Sequence, residues 1–233
     1  LHATRTVAAG ATAGVALAAT SAESSQDKPL TILGICCSPR KGKTTAASLR
    51  VCLDAAKAVD PRIKVELIEL AGMKIPAEVA AGVPLQPGER DDFPQLVTRI
   101  SNPTVAAIVV GTPVHFGNMS ALCKAFLDRC IVFHKDGSAL ANKVAGVLAV
   151  GGARNGGVEL TVRSVQVALM SQQMIVVGDG RPSSHWGGTV WSGADSVKAG
   201  AELDITRDEL GMATVKNLGR RVAEIALRLA GSA

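Results

Sequence analysis

The run from Val105 to Val110 is apolar at every position, and so is the run from Val144 to Val150. A strand written this way has no solvent face and must be covered on both sides, as in parallel sheets flanked by crossover helices. The chain between and around these runs supplies such helices. Spacing predicts a helix over Ala46–Val59, with Leu49, Cys52, Leu53 and Ala56 on one face, and others over Ser120–Val132, Val158–Gln172 and Arg207–Leu229. Leu30–Cys36 reads as the first strand, Lys64–Leu70 as a less buried second one and Met174–Val177 as the last. Strand and helix therefore alternate from Leu30 onward, which predicts an α/β fold built on a parallel sheet.

The chain has 233 residues, 47% of them hydrophobic, enough for one domain with a full core. Four Phe, two Trp and no Tyr suit Val-rich central strands better than a β-sandwich. The net charge of +5 follows no stripe, so no nucleic-acid partner is indicated. The five cysteines form no C-x-x-C pair, which points to neither a disulfide framework nor a zinc site. Residues 1–29 stand apart. Val7–Ala19 is rich in Ala, Gly and Val, and small residues and then a polar stretch follow it. This pattern resembles the back half of an export signal, more twin-arginine than Sec in its weak hydrophobicity, although no paired arginine is present. The expectation is a leader over 1–29, one domain over 30–233, and a periplasmic or exported protein, with a cytoplasmic one as the alternative. Thirteen apolar residues are too few to span a bilayer, and no longer run occurs.

In a parallel α/β sheet, ligands bind beyond the carboxyl ends of the strands. Three segments leave strand ends with loop chemistry: Ser38–Thr45, Gly111–Asn118 and Gly151–Gly157. All three are expected at one rim. The first, Cys37-Ser38-Pro39-Arg40-Lys41-Gly42-Lys43-Thr44-Thr45, joins a strand to a helix N-terminus, where free amides and the helix dipole favour a phosphate. Hydroxyls of Ser38, Thr44 and Thr45 add donors, and Arg40 adds a forked cation. Gly42-Lys43-Thr44 matches the second half of a triphosphate-binding loop. Cys37 replaces its first glycine, however, and Val105–Val110 ends in Gly111-Thr112-Pro113 rather than in a magnesium-holding aspartate. Two parts of a triphosphate-binding loop are therefore missing.

Ser38-Pro39-Arg40-Lys41 with Thr44-Thr45 resembles the FMN-phosphate loop of the NAD(P)H-dependent FMN reductases and the iron–sulfur flavoproteins. Gly111-Thr112-Pro113-Val114-His115-Phe116-Gly117-Asn118-Met119-Ser120 is similar to their second motif, and Gly151-Gly152-Ala153-Arg154-Asn155-Gly156-Gly157 to their third. The likeness runs from about Leu30 to Leu229. It implies a flavodoxin-like three-layer fold with a five-stranded parallel sheet in the order 2-1-3-4-5. It also implies FMN as cofactor, NADPH or NADH as co-substrate, and chemistry at the flavin N5, with no obligatory side-chain acid or base. Ser38, Arg40, Lys43, Thr44 and Thr45 then hold the phosphate. Pro113, Val114, His115, Phe116, Gly117 and Asn118 border the ring near N5 and O4, and Gly151, Gly152 and Arg154 lie near N1 and O2.

Two departures stand out. The iron–sulfur members carry a compact cysteine motif after the second strand, whereas Ile75–Pro84 here, leading to Asp91-Asp92-Phe93, has no cysteine. His115 stands where an aromatic, often Tyr, is found. Expected partners are a small-molecule electron acceptor (a quinone, flavin, metal ion, nitro or azo compound) and further copies of the chain, as a homodimer or homotetramer. The alternative is a flavodoxin-like electron carrier without turnover of its own, against which a basic chain lacking Tyr argues. A third reading is a module that has lost its flavin. The Gly/Ser-rich stretch Asp179–Gly200, with Trp186 and Trp191, is expected to cover the flavin or to form a subunit contact, Trp186 being the better candidate for stacking.

Overall fold

The computed structural model describes residues 28–135, 137–193 and 202–231. The expected leader therefore lies, apart from Lys28 and Pro29, outside the described residues. Seven strands form the sheet: β1 (Leu30–Cys36), β2 (Ile63–Glu69), β3 (Val105–His115), β4 (Asn118–Met119), β5 (Val144–Gly151), β6 (Ile175–Val176) and β7 (Gly188–Trp191). The parallel core has the order β2-β1-β3-β5-β6, with β7 also parallel to β5 and β4 antiparallel to β3. Helices α1 (Thr44–Lys57), α2 (Pro94–Ile100), α3 (Ala121–Arg129), α4 (Ile131–Lys135), α5 (Val158–Ser171) and α6 (Glu209–Gly231) cover both faces.

The two faces carry separate cores. Leu49, Cys52 and Leu53 of α1 meet Val215, Leu218 and Val222 of α6 over Ile32, Ala107 and Leu148. On the other face, Leu96 of α2, Phe126 of α3, Phe133 of α4 and Val162 and Val165 of α5 pack over Leu33, Ile108 and Val147. α1 and α6 approach so closely that a Cβ on Gly219 would sit 2.0 Å from the Cys52 carbonyl oxygen.

The fifth strand differs from expectation. Met174–Val177 contributes only the two residues of β6, which pair with Val144 and Ala145 at the start of β5. The chain then leaves the sheet, and re-enters it as β7 opposite Leu148–Gly151 at the end of β5. Residues 177–187 form an excursion at mid-edge, and part of the stretch expected to be loop is strand. The physical cause lies in Gly178-Asp179-Gly180-Arg181-Pro182: the two glycines and the proline favour turns over strand, and the Asp179 carboxylate closes the excursion by accepting from the His185 amide at 2.5 Å.

The segment between β2 and α2 is closed by a cation. Arg129 at the end of α3 donates to Asp91 Oδ2 at 2.7 Å and to the Pro76 carbonyl at 3.1 Å, and its guanidinium lies 4.8 Å from the Phe93 ring centre. Both side chains of the ion pair are only 9% exposed. Burial pushes the Asp91 pKa up, but the Arg129 guanidinium and the Phe93 amide outweigh it and hold the carboxyl below its ordinary value. Among the described residues, no helix is long and apolar enough to cross a membrane.

Candidate functional site

Strands β1, β3 and β5 are neighbours, so the loops after their carboxyl ends are neighbours too. Direct bonds hold the first two together. The Cys37 amide donates to the Gly111 carbonyl at 2.8 Å, and the Ser120 hydroxyl, which caps α3 by accepting from the Cys123 amide, donates to the Cys37 carbonyl at 2.7 Å. The second and third touch through backbone. β3 and β4 make a two-residue hairpin whose turn residues, Phe116 and Gly117, have φ of 50° and 74°, and Gly117 lies against Gly157. A Cβ on Gly157, whose own φ is 89°, would come within 2.9 Å of the Gly117 Cα. The three sequence motifs meet at one rim.

In the first loop, Lys43 precedes α1 without a side-chain cap, and the first turn has no acidic residue. Among the described residues, the amides of Lys43, Thr44, Thr45 and Ala46 have no acceptor. Thr45, in the first turn of α1, is 1% exposed. Gly42, at φ 67°, is fixed by a 2.7 Å bond from its amide to Glu69 Oε2, and Arg50 holds the other oxygen of Glu69 at 3.0 Å. Ser38 is buried, and its hydroxyl turns back on the loop, accepting from the Arg40 amide at 3.1 Å and donating to the Arg40 carbonyl at 3.2 Å. It shapes the loop. A cavity of about 560 Å³ opens beside Arg40, Lys43 and Thr44, with Glu202 and Asp204 on its other wall. Hydrogen bonds from the Thr206 hydroxyl and amide hold the Asp204 carboxyl below its ordinary value, so that wall stays negative. The thiols beneath the loop add no charge: burial pushes Cys36 up to about 11, and burial together with the adjoining Cys123 raises Cys37.

In the second loop, Pro113 is buried, Val114 half-buried, and His115, Phe116 and Asn118 exposed. The amides of Phe116 and Gly117 have no acceptor among the described residues. In the third loop, Gly151 ends β5 and accepts from the Ser192 amide at 2.9 Å, while the Gly152 and Arg154 amides have no acceptor among the described residues. The Arg154 side chain goes elsewhere. Its guanidinium lies 4.8 Å from the Trp191 ring centre and 3.3 Å from Asp208 Oδ1. Asp208 is the buried N-cap of α6, accepting from Gly211 N at 3.2 Å and from Trp191 N at 2.7 Å. The tryptophan beside this rim is thus Trp191, whereas Trp186 lies over α5, its carbonyl bonded to Gln166 at 2.5 Å.

A family model described as NADPH-dependent FMN reductase matches residues 30–187. The chain belongs to the NADPH-dependent FMN reductase family. An iron–sulfur flavoprotein of Methanocaldococcus jannaschii is 33% identical over 197 residues, spanning 83% of this chain and 96% of that protein. One from Methanosarcina thermophila is 30% identical over 197 residues, spanning 83% and 94%. Among solved structures, RosB with a bound 8-demethyl-8-formylriboflavin-5′-phosphate intermediate superposes with a TM-score of 0.63 at 16% identity, over 86% of this chain and 79% of that one. The fold is flavodoxin-like, and the protein is an FMN-dependent oxidoreductase of this family.

The residues present fit FMN. A phosphate held without a metal needs donors, and the four free amides at the start of α1 provide them. Sequence reasoning found the loops, with Ser120 and Gly157 inside the second and third motifs but without their bracing roles, and missed Glu69 and Asp208, which brace the loops from outside. Only Ser120 carried a local signal, as a hydroxyl just before a helix. Thr45→Ala and Arg40→Ala are expected to weaken FMN about tenfold each, the size of one charge-assisted hydrogen bond, and to leave riboflavin, which lacks the phosphate, unchanged. Fluorescence titration with both flavins measures this, and equal losses for the two would assign these side chains to something other than the phosphate.

Proposed function

We propose that this protein takes hydride from NADPH or NADH through FMN and passes the electrons to a small-molecule acceptor such as a quinone, a flavin, a ferric ion or a nitro compound. The observation that carries this reading is the meeting of the three loops, sealed by the backbone contact between Gly117 and Gly157. Bound FMN would supply the hydride-accepting and electron-donating chemistry. The chain binds and orients. Arg40, Lys43, Thr44 and Thr45 would hold the phosphate, with Ser38 and Glu69 fixing the loop that presents them. The Phe116 and Gly117 amides supply fixed donors on one side of the ring site, and the Gly152 and Arg154 amides supply them on the other, so negative charge there is stabilised without reorganisation. No side chain is required as acid or base. His115, exposed at the hairpin, can relay a proton to solvent.

Steady-state oxidation of NADPH and NADH by the FMN-loaded protein, with benzoquinone or ferric citrate as acceptor, tests the proposal. Multiple turnovers per flavin are expected. Reduction of bound FMN by dithionite but by neither nicotinamide would overturn it in favour of an electron carrier, and absence of flavin absorbance after reconstitution would overturn it altogether.

A further inference from the structure

The excursion at residues 177–187 carries a buried carboxylate and a histidine for which the three loops have no use. Asp179 is 1% exposed, and His185 is stapled to it at three points. The His185 amide donates to Asp179 Oδ1 at 2.5 Å, the Asp179 amide donates to the His185 carbonyl at 3.2 Å, and the imidazole Nδ1 lies 3.4 Å from Asp179 Oδ2. Oδ2 also accepts from the Ser183 hydroxyl, whose oxygen accepts from Asn217 Nδ2 of α6 at 2.8 Å. The backbone leaves this frame no slack, since a Cβ on Gly178 would meet the His185 carbonyl oxygen at 2.4 Å.

A carboxylate beside Nδ1 keeps the proton of the neutral imidazole on that nitrogen and leaves Nε2, on the outer edge of the ring, to take up and release a proton. Exposure agrees with this division: the Asp179 side chain is fully buried, whereas that of His185 is 51% exposed. The pair has a fixed base and an open tip.

Position decides what that tip acts on. His185 lines a cavity of about 480 Å³ whose other walls include Arg154, Val158, Trp191 and Leu210. Arg154 belongs to the third loop, so a planar ligand in this cavity lies between that loop and the histidine. His185 also lines a second cavity, of about 430 Å³, with Arg163, Met170 and Trp186, and it is the residue common to the two. We propose that His185, positioned by Asp179, donates a proton to an electron acceptor bound in the first cavity as that acceptor is reduced. This role rests on the proposed delivery of electrons from FMN to a small-molecule acceptor. Passage of hydride from a nicotinamide needs no such group, but a quinone does. Its conversion to a hydroquinone consumes two electrons and two protons. Hydride from the reduced flavin brings both electrons and one proton to one oxygen. The other proton passes from Nε2 of the His185 imidazolium to the second oxygen, at the opposite end of the ring, and solvent reprotonates the imidazole. A positioned acid speeds such a step by about 10²–10⁴-fold.

Single-turnover reoxidation of the FMN-loaded protein, reduced with dithionite so that no nicotinamide takes part, tests this. His185→Gln is expected to slow reoxidation by benzoquinone about a hundredfold, and Asp179→Asn about tenfold. Ferricyanide takes electrons without a proton, so its rate should fall far less in both variants. In His185→Ala, added imidazole should restore part of the benzoquinone rate. A second readout needs no flavin. In nitrogen NMR spectra at alkaline pH, the neutral His185 ring should carry its proton on Nδ1, and in Asp179→Asn, whose amide donates where the carboxylate accepted, on Nε2. Flavin absorbance checks that each variant is folded and loaded. Equal slowing of benzoquinone and ferricyanide would overturn the proposal, as would a wild-type ring proton on Nε2. Failure to oxidise NADPH or NADH, with the benzoquinone and ring-proton results as expected, would strike the nicotinamide half of the proposed function and uphold the role of His185.

Discussion

Gly157→Ala is expected to cost about 2–5 kcal/mol of stability and most of the FMN affinity. The first part of that sum, about 1–2 kcal/mol, comes from placing a Cβ on a residue at φ 89°. The remainder, about 1–3 kcal/mol, comes from the 2.9 Å approach to the Gly117 Cα, which flexible side-chain motion cannot relieve because the obstacle is backbone. The hairpin must move, and the Phe116 and Gly117 amides move with it. Gly82→Ala is the control. Gly82 has φ 84°, ends the short 3₁₀ turn at Ala77–Ala81 and faces open space. It should lose only the backbone portion, about 1–2 kcal/mol, with FMN binding intact. Thermal unfolding and flavin titration of both variants measure the contrast. Normal flavin affinity in Gly157→Ala would remove the hairpin contact from the account of the site.

Arg129→Met is the second large effect, expected at about 3–5 kcal/mol because it strands a buried carboxylate, or roughly 6–20 °C in Tm for a chain of this size. Its pH dependence has a definite sign. The folded Asp91 pKa lies below its unfolded value, near 3.9. The Asp91 contribution is therefore complete above that unfolded value and is lost as pH falls through the folded one. In Arg129→Met the same carboxyl is buried without its cation and gains from protonation, so the gap between wild type and variant should narrow toward acid pH. The double variant with Asp91→Asn, which neutralises the stranded group, should recover much of the loss at pH 7. Chemical denaturation at pH 4 and pH 7 follows all three proteins. A gap that is constant with pH would mean that the Phe93 contact, rather than the ion pair, carries the effect.

The segments most legible in the sequence were those whose pattern is local. Val105–Val110 and Val144–Val150 announced central strands, and the first loop announced its strand, its hydroxyl-rich turn and its helix start. The split strand was illegible because β6 and β7 have two and four residues, too few to show a period, and Thr189-Val190-Trp191 becomes strand only because β5 is long enough to pair with it. The bracing residues were hidden for a related reason. Glu69 reaches Gly42 across a parallel register that places it opposite Cys36, and nothing in the twenty-six residues between them specifies that pairing. Arg154 was correctly placed on the third loop, but its side-chain direction is set by Asp208, fifty-four residues later.

The interrupted edge has a consequence for life at high concentration. A sheet edge displays unpaired amides and carbonyls to any passing extended chain, and a long flat one invites intermolecular pairing. Here the edge beside β5 comes in pieces of two and four residues separated by a folded excursion that carries Arg181 and Pro182, so an incoming strand finds no continuous register to extend. The opposite edge, β2, is seven residues long but is punctuated by Lys64, Glu66 and Glu69. The same detour that breaks the fifth strand therefore also guards the molecule against self-association through its backbone.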